Sequence, residues 1–305
     1  MKLNATIKAI FIGVFMIGVL LASPSGAAAG QVSQGREHGA CSAPKGGLPA
    51  ARAEAHQIVA QLRADLAAVE NDIRNVSFID AVVAGDASVK QIAAIAAEEY
   101  SIIRSDRDSF ARMASRWDQR RGSHFFGDLA DGEQLSMPLL LRFAATVGLD
   151  EARLAAYEPR PKSQTYPSRV AWIANNADRA SAAASFLVNF AVFGENMGRL
   201  RDALVSVYGF APVQIEFFSF FAEPIPGFEE AAIEVIADGL LEGACAKDIH
   251  RSARLLQAYE LDFWQAASDP PGSPLPVIWP LASGNRGAIL IEVADGSRMI
   301  TRHGR

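Results

Sequence analysis

Apolar residues recur every three to four positions along most of this chain, the period of helices that bury one face. The clearest stretch begins at Pro49, where Ala55, Ile58, Val59, Leu62, Leu66 and Val69 predict a long amphipathic helix. Residues 76–83 predict a short helix ended by Gly85 and Asp86, and Ser88 is placed to cap a helix running to about Trp117. Residues 118–127 read as a loop. A further helix is expected from Ser136, with Pro138 in its first turn, to a C-cap at Gly148, and Asp150 with Glu151 opens another. Pro159, Pro161 and Pro167 mark a break. Residues 167–173 and 179–208 follow as the most apolar helices after the leader, and Ala182, Ala183 and Ala184 let neighbours approach, so these belong at the centre. Residues 213–221, 228–241 and 246–267 complete the helices, and Pro270, Pro271, Pro274 and Pro276 end them. The period then changes: β-branched residues flank Asp295-Gly296, the short-range signal of a hairpin.

The fold class is therefore all-α, a multi-helix bundle with a short C-terminal β-hairpin. Lys2 and Lys8 come ahead of an apolar run over residues 9–22, shorter than the ~20 residues a spanning helix needs. Ser23, Pro24, Ser25 and Gly26 break it, and Ala27, Ala28 and Ala29 offer small residues for cleavage. The expected organisation is a signal peptide over 1–29, a flexible linker over 30–48, a helical domain over 49–268, and a Pro-rich linker and tail over 269–305. A periplasmic or secreted location follows, with a cytoplasmic one as the alternative if the start codon is overextended.

Composition removes several functions. Half of the 305 residues are apolar and the formal charge is -5, so the chain can bury a large core and has no basic excess for nucleic acid. Membrane contact is expected only through an uncleaved leader. The two cysteines, Cys41 and Cys245, read as structural or inert, since spacing alone gives no geometry for a bridge. No HExxH or CxxC occurs, and His38, His56, His124, His250 and His303 never fall within helical reach of one another. Neither a metal nor another cofactor is expected.

Three acids carry the candidate chemistry. Glu99, Glu195 and Glu260 each interrupt an otherwise apolar helical stretch, where a carboxylate costs several kcal/mol unless it is partnered or protonated. Each has a plain alternative: Glu99 as a surface acid beside a still more exposed Glu98, Glu195 paired with Arg199, and Glu260 paired with Arg254. Glu260 stands out because Tyr259, Phe263 and Trp264 surround it, a setting that raises a carboxyl pKa toward general acid or base work. Asp106, among Arg104, Arg107 and Asp108, reads as a solvated charge. Aromatic residues at the expected pocket, including Phe193, Phe217, Phe221 and Phe263, suit a flat or apolar ligand, although such spacing more often marks core.

Several segments resemble one family in order. The stretch from Phe78 to Asp86 and then Gln91 to Phe110, Gly132-Glu133 with residues 140–149, residues 186–198, and Gln257 to Trp264 resemble TenA (thiaminase-II) and PqqC-type proteins over about residues 50–267. The resemblance implies the haem-oxygenase-like fold and a small cofactor-related or heterocyclic ligand. It also implies a TenA-like hydrolase or a PqqC-like oxidoreductase, and self-association into a homo-oligomer. It matches Glu260 and Phe263 to the glutamate and aromatic bordering the aminopyrimidine pocket, Glu99 to the acid that holds the pyrimidine, and Glu195 to the acid after the nucleophile. Asn189 stands where thiaminases have cysteine, and an amide supplies no thiolate. The expected set is thus Glu260 as the catalytic acid or base, with Glu99, Asn189, Phe193, Glu195 and Phe263 around the ligand and no metal. A di-iron oxidase of the same fold is the alternative: Glu99, Asp106 and Glu195 would fill its first places, but Phe221, Ile225 and Phe228 fall at its closing ligands. A non-catalytic ligand-binding or assembly protein is the third reading.

Overall fold

The computed structural model describes residues 41–268 and two strands, 288–292 and 298–302. The expected leader and most of the linker lie outside the described residues. Helix α1 (Gly47–Arg74) buries Ala55, Ile58, Val59, Leu62 and Leu66 along one stripe, as the spacing predicts. After α2 (Ser77–Ala84) the chain turns at Gly85, whose φ of 82° is the left-handed conformation that favours glycine. Helix α3 (Val89–Arg116) opens with a capping box in which Ser88 accepts from the Gln91 amide and the Gln91 side chain accepts from the Ser88 amide.

Helix α4 (His124–Thr146) corrects the sequence reading. It starts within the expected loop, three turns before Ser136. Ser136 is buried inside it and its hydroxyl donates to the Glu133 carbonyl at 3.0 Å, one turn back, instead of capping a new helix. Pro138 likewise lies within α4, where its ring is tolerated although it removes one helical hydrogen bond. The consequence is that Glu133 belongs to a buried helix face.

Next come α5 (Glu151–Ala155), α6 (Thr165–Asn176) and α7 (Arg179–Ser206), with Asp150 and Asp178 as N-caps of α5 and α7. A 3-10 turn (Pro212–Ile215) leads into α8 (Glu216–Ala222), followed by α9 (Phe228–Leu241) and α10 (Ala246–Ser268). Helix α7 is the axis: it packs against α1, α2, α8, α9 and α10, and every residue from Arg179 to Asn189 is buried. Helix α3 packs on α4 and α6, and α10 packs on α6, α7 and α1, so α3, α4, α6, α7 and α10 enclose one interior. Close approach depends on small residues. A Cβ on Gly239 of α9 would lie 2.7 Å from the Cβ of Ala180.

The strands Ala288–Glu292 and Arg298–Arg302 pair antiparallel, with Leu290 opposite Ile300, forming the hairpin expected of the tail. The cysteines are joined. Cys41 and Cys245 form a disulfide with their Cα atoms 5.3 Å apart, and the Cys41 amide donates to the Gly243 carbonyl at 3.1 Å. The bond links the segment entering α1 to the turn ahead of α10 across 204 residues, which spacing alone could not reveal.

Two measurements test this packing. Cys41→Ser lowers unfolding stability by about 2–4 kcal/mol, because the cross-link restricts the unfolded chain, and wild-type protein shows no titratable thiol until reduced. Gly239→Val costs about 1–3 kcal/mol in urea unfolding, since α7 and α9 must separate to admit the side chain; unchanged stability would show that the two helices have room to spare.

Candidate active site

Four carboxyl groups from three helices line a single cavity of about 30 Å³. Glu99 and Asp106 come from α3, Glu133 from α4 and Glu260 from α10. Residues 99 and 106 are seven apart, two helical turns, and so project from one face of α3. Tyr166 of α6 and Asn189 of α7 add polar groups, while Ile102, Ile103, Phe190, Phe193, Phe221 and Phe263 form the walls. Among the described residues no arginine, lysine or histidine lines it. Each carboxyl is withdrawn from solvent, with Glu99 at 4% exposure and Glu260 at 2%.

The hydrogen bonds are uneven. Glu260 is the best held: Trp264 Nε1 donates to its Oε1 at 2.7 Å and Asn189 Nδ2 to its Oε2 at 3.1 Å. The Asn189 amide also donates to Gln257 Oε1 at 3.1 Å and its oxygen accepts from the Tyr166 hydroxyl at 3.2 Å. By contrast, Asp106 Oδ1 is buried without a partner, and Glu99 makes no side-chain hydrogen bond among the described residues.

Electrostatics follow from this crowding. Burial pushes Glu260 up to about 7 while the N–H groups of Asn189 and Trp264 pull it back. Burial raises Glu133 to about 8. Glu99 and Asp106 are held well above the ordinary carboxyl range, first by burial and then by neighbouring acids, Glu133 foremost. Four like charges without a counter-cation cannot all ionise in so small a space, so the cluster keeps protons at neutral pH.

The structure brings Glu99, Asn189, Phe193, Glu260 and Phe263 of the expected set together around the cavity. Glu195 does not join them. It is half-exposed on the outer side of α7, where it pairs with Arg74 of α1 rather than with Arg199, which reaches Asp80. Its apolar neighbours in sequence belong to the opposite face of the helix. Glu98 is also corrected: it is buried, accepting from the Tyr157 hydroxyl at 2.6 Å, the Arg160 amide at 3.2 Å and the Ser163 hydroxyl. Asp106, read as a solvated charge, points inward instead. Sequence reasoning missed Asp106, Glu133 and Tyr166 as lining residues; the seven-residue spacing from Glu99 was the available signal for Asp106, and the misplaced start of α4 hid Glu133.

The family model described as TENA/THI-4/PQQC family matches residues 63–269. The chain belongs to that family. A search of curated proteins found no match. Among solved structures, a TenA homologue from Pseudomonas syringae pv. tomato DC3000 superposes with a TM-score of 0.58 at 12% identity, covering 68% of this chain and 91% of that one. A TenA homologue from P. horikoshii OT3 gives 0.56 at 15% identity over 69% of this chain and 97% of that one. A domain of unknown function with a haem-oxygenase-like fold from Shewanella denitrificans OS217 gives 0.54 at 17% identity over 68% and 91%. These likenesses establish the haem-oxygenase-like fold of the TENA/THI-4/PQQC family for this chain.

The di-iron set considered for a branch of this fold does not fit. Glu195 faces Arg74, Phe221 is a wall of the cavity, Ile225 is exposed, and Phe228 stacks on Phe125 and Phe190. No group of three or more described His, Cys, Asp or Glu residues is arranged to hold a metal ion.

The raised carboxyls make a signed prediction. Above about pH 5 the folded chain retains protons that the unfolded chain, titrating near 4.5, has released, at Glu260 up to about pH 7 and at Glu133 up to about pH 8. Stability is therefore full below pH 4.5 as far as these groups act, and falls as pH rises through about 7 and 8. The slope is about 1.4 kcal/mol per pH unit for each retained proton. Urea unfolding at several pH values should show the fall, and Glu133→Gln should flatten its upper part; a stability rising from pH 5 to 8 in wild type and mutant alike would contradict the cluster.

Proposed function

We propose that this chain binds and transforms a small cofactor-related or heterocyclic metabolite bearing amino or other N–H groups in the acid-lined cavity, without a metal. The observation that supports this reading is the convergence of Glu99, Asp106, Glu133 and Glu260 between aromatic walls, with no positive side chain among the described residues that line them. Such a lining offers acceptors, and protons held near neutrality, to a flat ligand that offers donors. Family membership favours the same ligand class.

Glu260 is the general acid or base, because it alone of the four receives two N–H donors and titrates at about 7. Glu99, lacking a hydrogen-bond partner among the described residues, takes an N–H of the ligand. Asn189 stands in the place of the thiaminase cysteine and donates to Glu260. Covalent catalysis through a thiolate there is not part of this reading, and proton transfer to a leaving group or from an attacking water is what the residues can do. A cavity of about 30 Å³ admits little more than water, so ligand entry requires the part-exposed rings of Phe193 and Phe221 to swing outward. Export to an oxidising compartment accords with the Cys41–Cys245 bond.

Glu260→Gln tests the chemistry. In a panel of aminopyrimidines and related amino-heterocycles, wild type should bind at least one and turn it over, while the variant binds it with turnover reduced by about 100-fold or more. Unchanged turnover removes Glu260 from the mechanism. Binding without turnover in wild type favours a non-catalytic carrier.

A further inference from the structure

A chain of hydrogen bonds runs from the surface into the site, and its polarity is fixed at the outer end. Glu195 on α7 pairs with Arg74, and Arg74 Nη2 lies 3.3 Å from Glu70 Oε2 one turn back on α1. The other oxygen of Glu70 accepts from Gln257 Nε2 at 3.2 Å. An ion-paired carboxylate can only accept, so the Gln257 amide must turn its nitrogen outward and its oxygen inward. The Val188 carbonyl, 3.4 Å from the same nitrogen, enforces the same orientation. Gln257 Oε1 then demands a donor from Asn189, whose Nδ2 supplies it and also bonds Glu260. The amide oxygen of Asn189 is left for Tyr166, whose hydroxyl hydrogen is committed to it at 3.2 Å. Asp106 lines the same cavity with Oδ1 unpartnered, and its carboxyl lies within reach of that hydroxyl, whose hydrogen would lower the Asp106 pKa if it turned there instead.

We propose that Glu70 and Gln257 are positioning residues that divide the roles within the acid cluster. By orienting Asn189 they hold Glu260 between two N–H donors as the proton acceptor, and they commit the Tyr166 hydrogen elsewhere so that Asp106 can bond Tyr166 only by donating a proton of its own. Glu260 is thus the base and Asp106 the standing acid. No bond changes in this arrangement; Asp106 keeps its proton, and Glu260 is the carboxyl that gives its proton up first as pH rises. The chemical meaning rests on the function proposed above, but the arrangement can be tested without any ligand, so a failed ligand panel and a failed proton assignment are separate results.

Trp264 reports Glu260 directly because its indole N–H donates to that carboxyl. Charged and titratable groups facing Glu260 are Glu99 and Asp106 from α3, Glu133 from α4 and Tyr166 from α6. The pH dependence of Trp264 emission, taken as the difference between wild type and Trp264→Phe, gives the midpoint of Glu260. Glu70→Gln keeps the shape of the side chain but removes the ion-paired acceptor and leaves only the longer 3.4 Å contact with the Val188 carbonyl to hold Gln257, so Gln257 and Asn189 turn over more readily and the midpoint should rise by about one pH unit, tenfold in proton affinity. Asp202→Asn, which removes an exposed partner of Arg201 outside this chain, should leave it unchanged. A folded Glu70→Gln protein with the wild-type midpoint overturns the proposal. Infrared spectra of wild type labelled at aspartate, assigned with Asp106→Asn, give a check that needs no Glu70 variant: a protonated Asp106 band at pH 7 is expected, and its absence overturns the proposal too.

Discussion

Desolvation of like charges governs this molecule's interior. Glu99, Asp106, Glu133 and Glu260 share one cavity with no described basic side chain on its lining, and a buried carboxylate without compensation costs several kcal/mol. The protein meets that cost by retaining protons and by giving one member, Glu260, two N–H donors. The remaining acids then keep their protons at neutral pH. Helix α7 has to be central for this to hold, because Asn189 reaches both Glu260 of α10 and Tyr166 of α6 from its position there.

The scaffold around the cavity is built to keep that geometry. Close helix contact at Gly239 and Ala180 fixes α9 against α7, and buried Arg179 reinforces it by reaching Asp238, Glu242 at 2.9 Å and the Arg121 carbonyl at 3.0 Å. Gly194 plays the same part nearer the site, since a Cβ there would meet the Phe221 carbonyl at 2.8 Å and push a wall of the cavity outward. The Cys41–Cys245 bond fastens the approach to α1 onto the turn before α10, the helix that carries Glu260, Gln257 and Trp264. A rigid bundle matters because hydrogen bonds directed at a carboxyl lose value quickly when misaligned.

Glu195 shows how a residue can bear on a site without entering it. Its sequence neighbours are apolar, yet its own side chain projects to the opposite side of α7 and ends on Arg74. Through Arg74 and Glu70 it marks the outer end of the chain that orients Asn189. Glu195 lies within two turns of the lining residues Asn189 and Phe193, and only the direction of its side chain separates it from them.

Periodicity by itself determined the all-α class, most helix limits, the central place of α7 and the hairpin, because burial of one face repeats at the spacing of the secondary structure. It also singled out Glu99 and Glu260, since an acid in an apolar stripe is visible locally. The start of α4 was misread because a serine two residues before a proline carries the same local signal as a helix cap, and only packing against α3 showed that the helix runs through it. Tertiary structure alone decided that Asp106 and Glu133 face inward, that Glu98 is satisfied elsewhere, that Glu195 turns away, and that Cys41 meets Cys245. The reason is that these facts depend on which helices become neighbours, and a one-dimensional spacing holds no information about the partner across the interface.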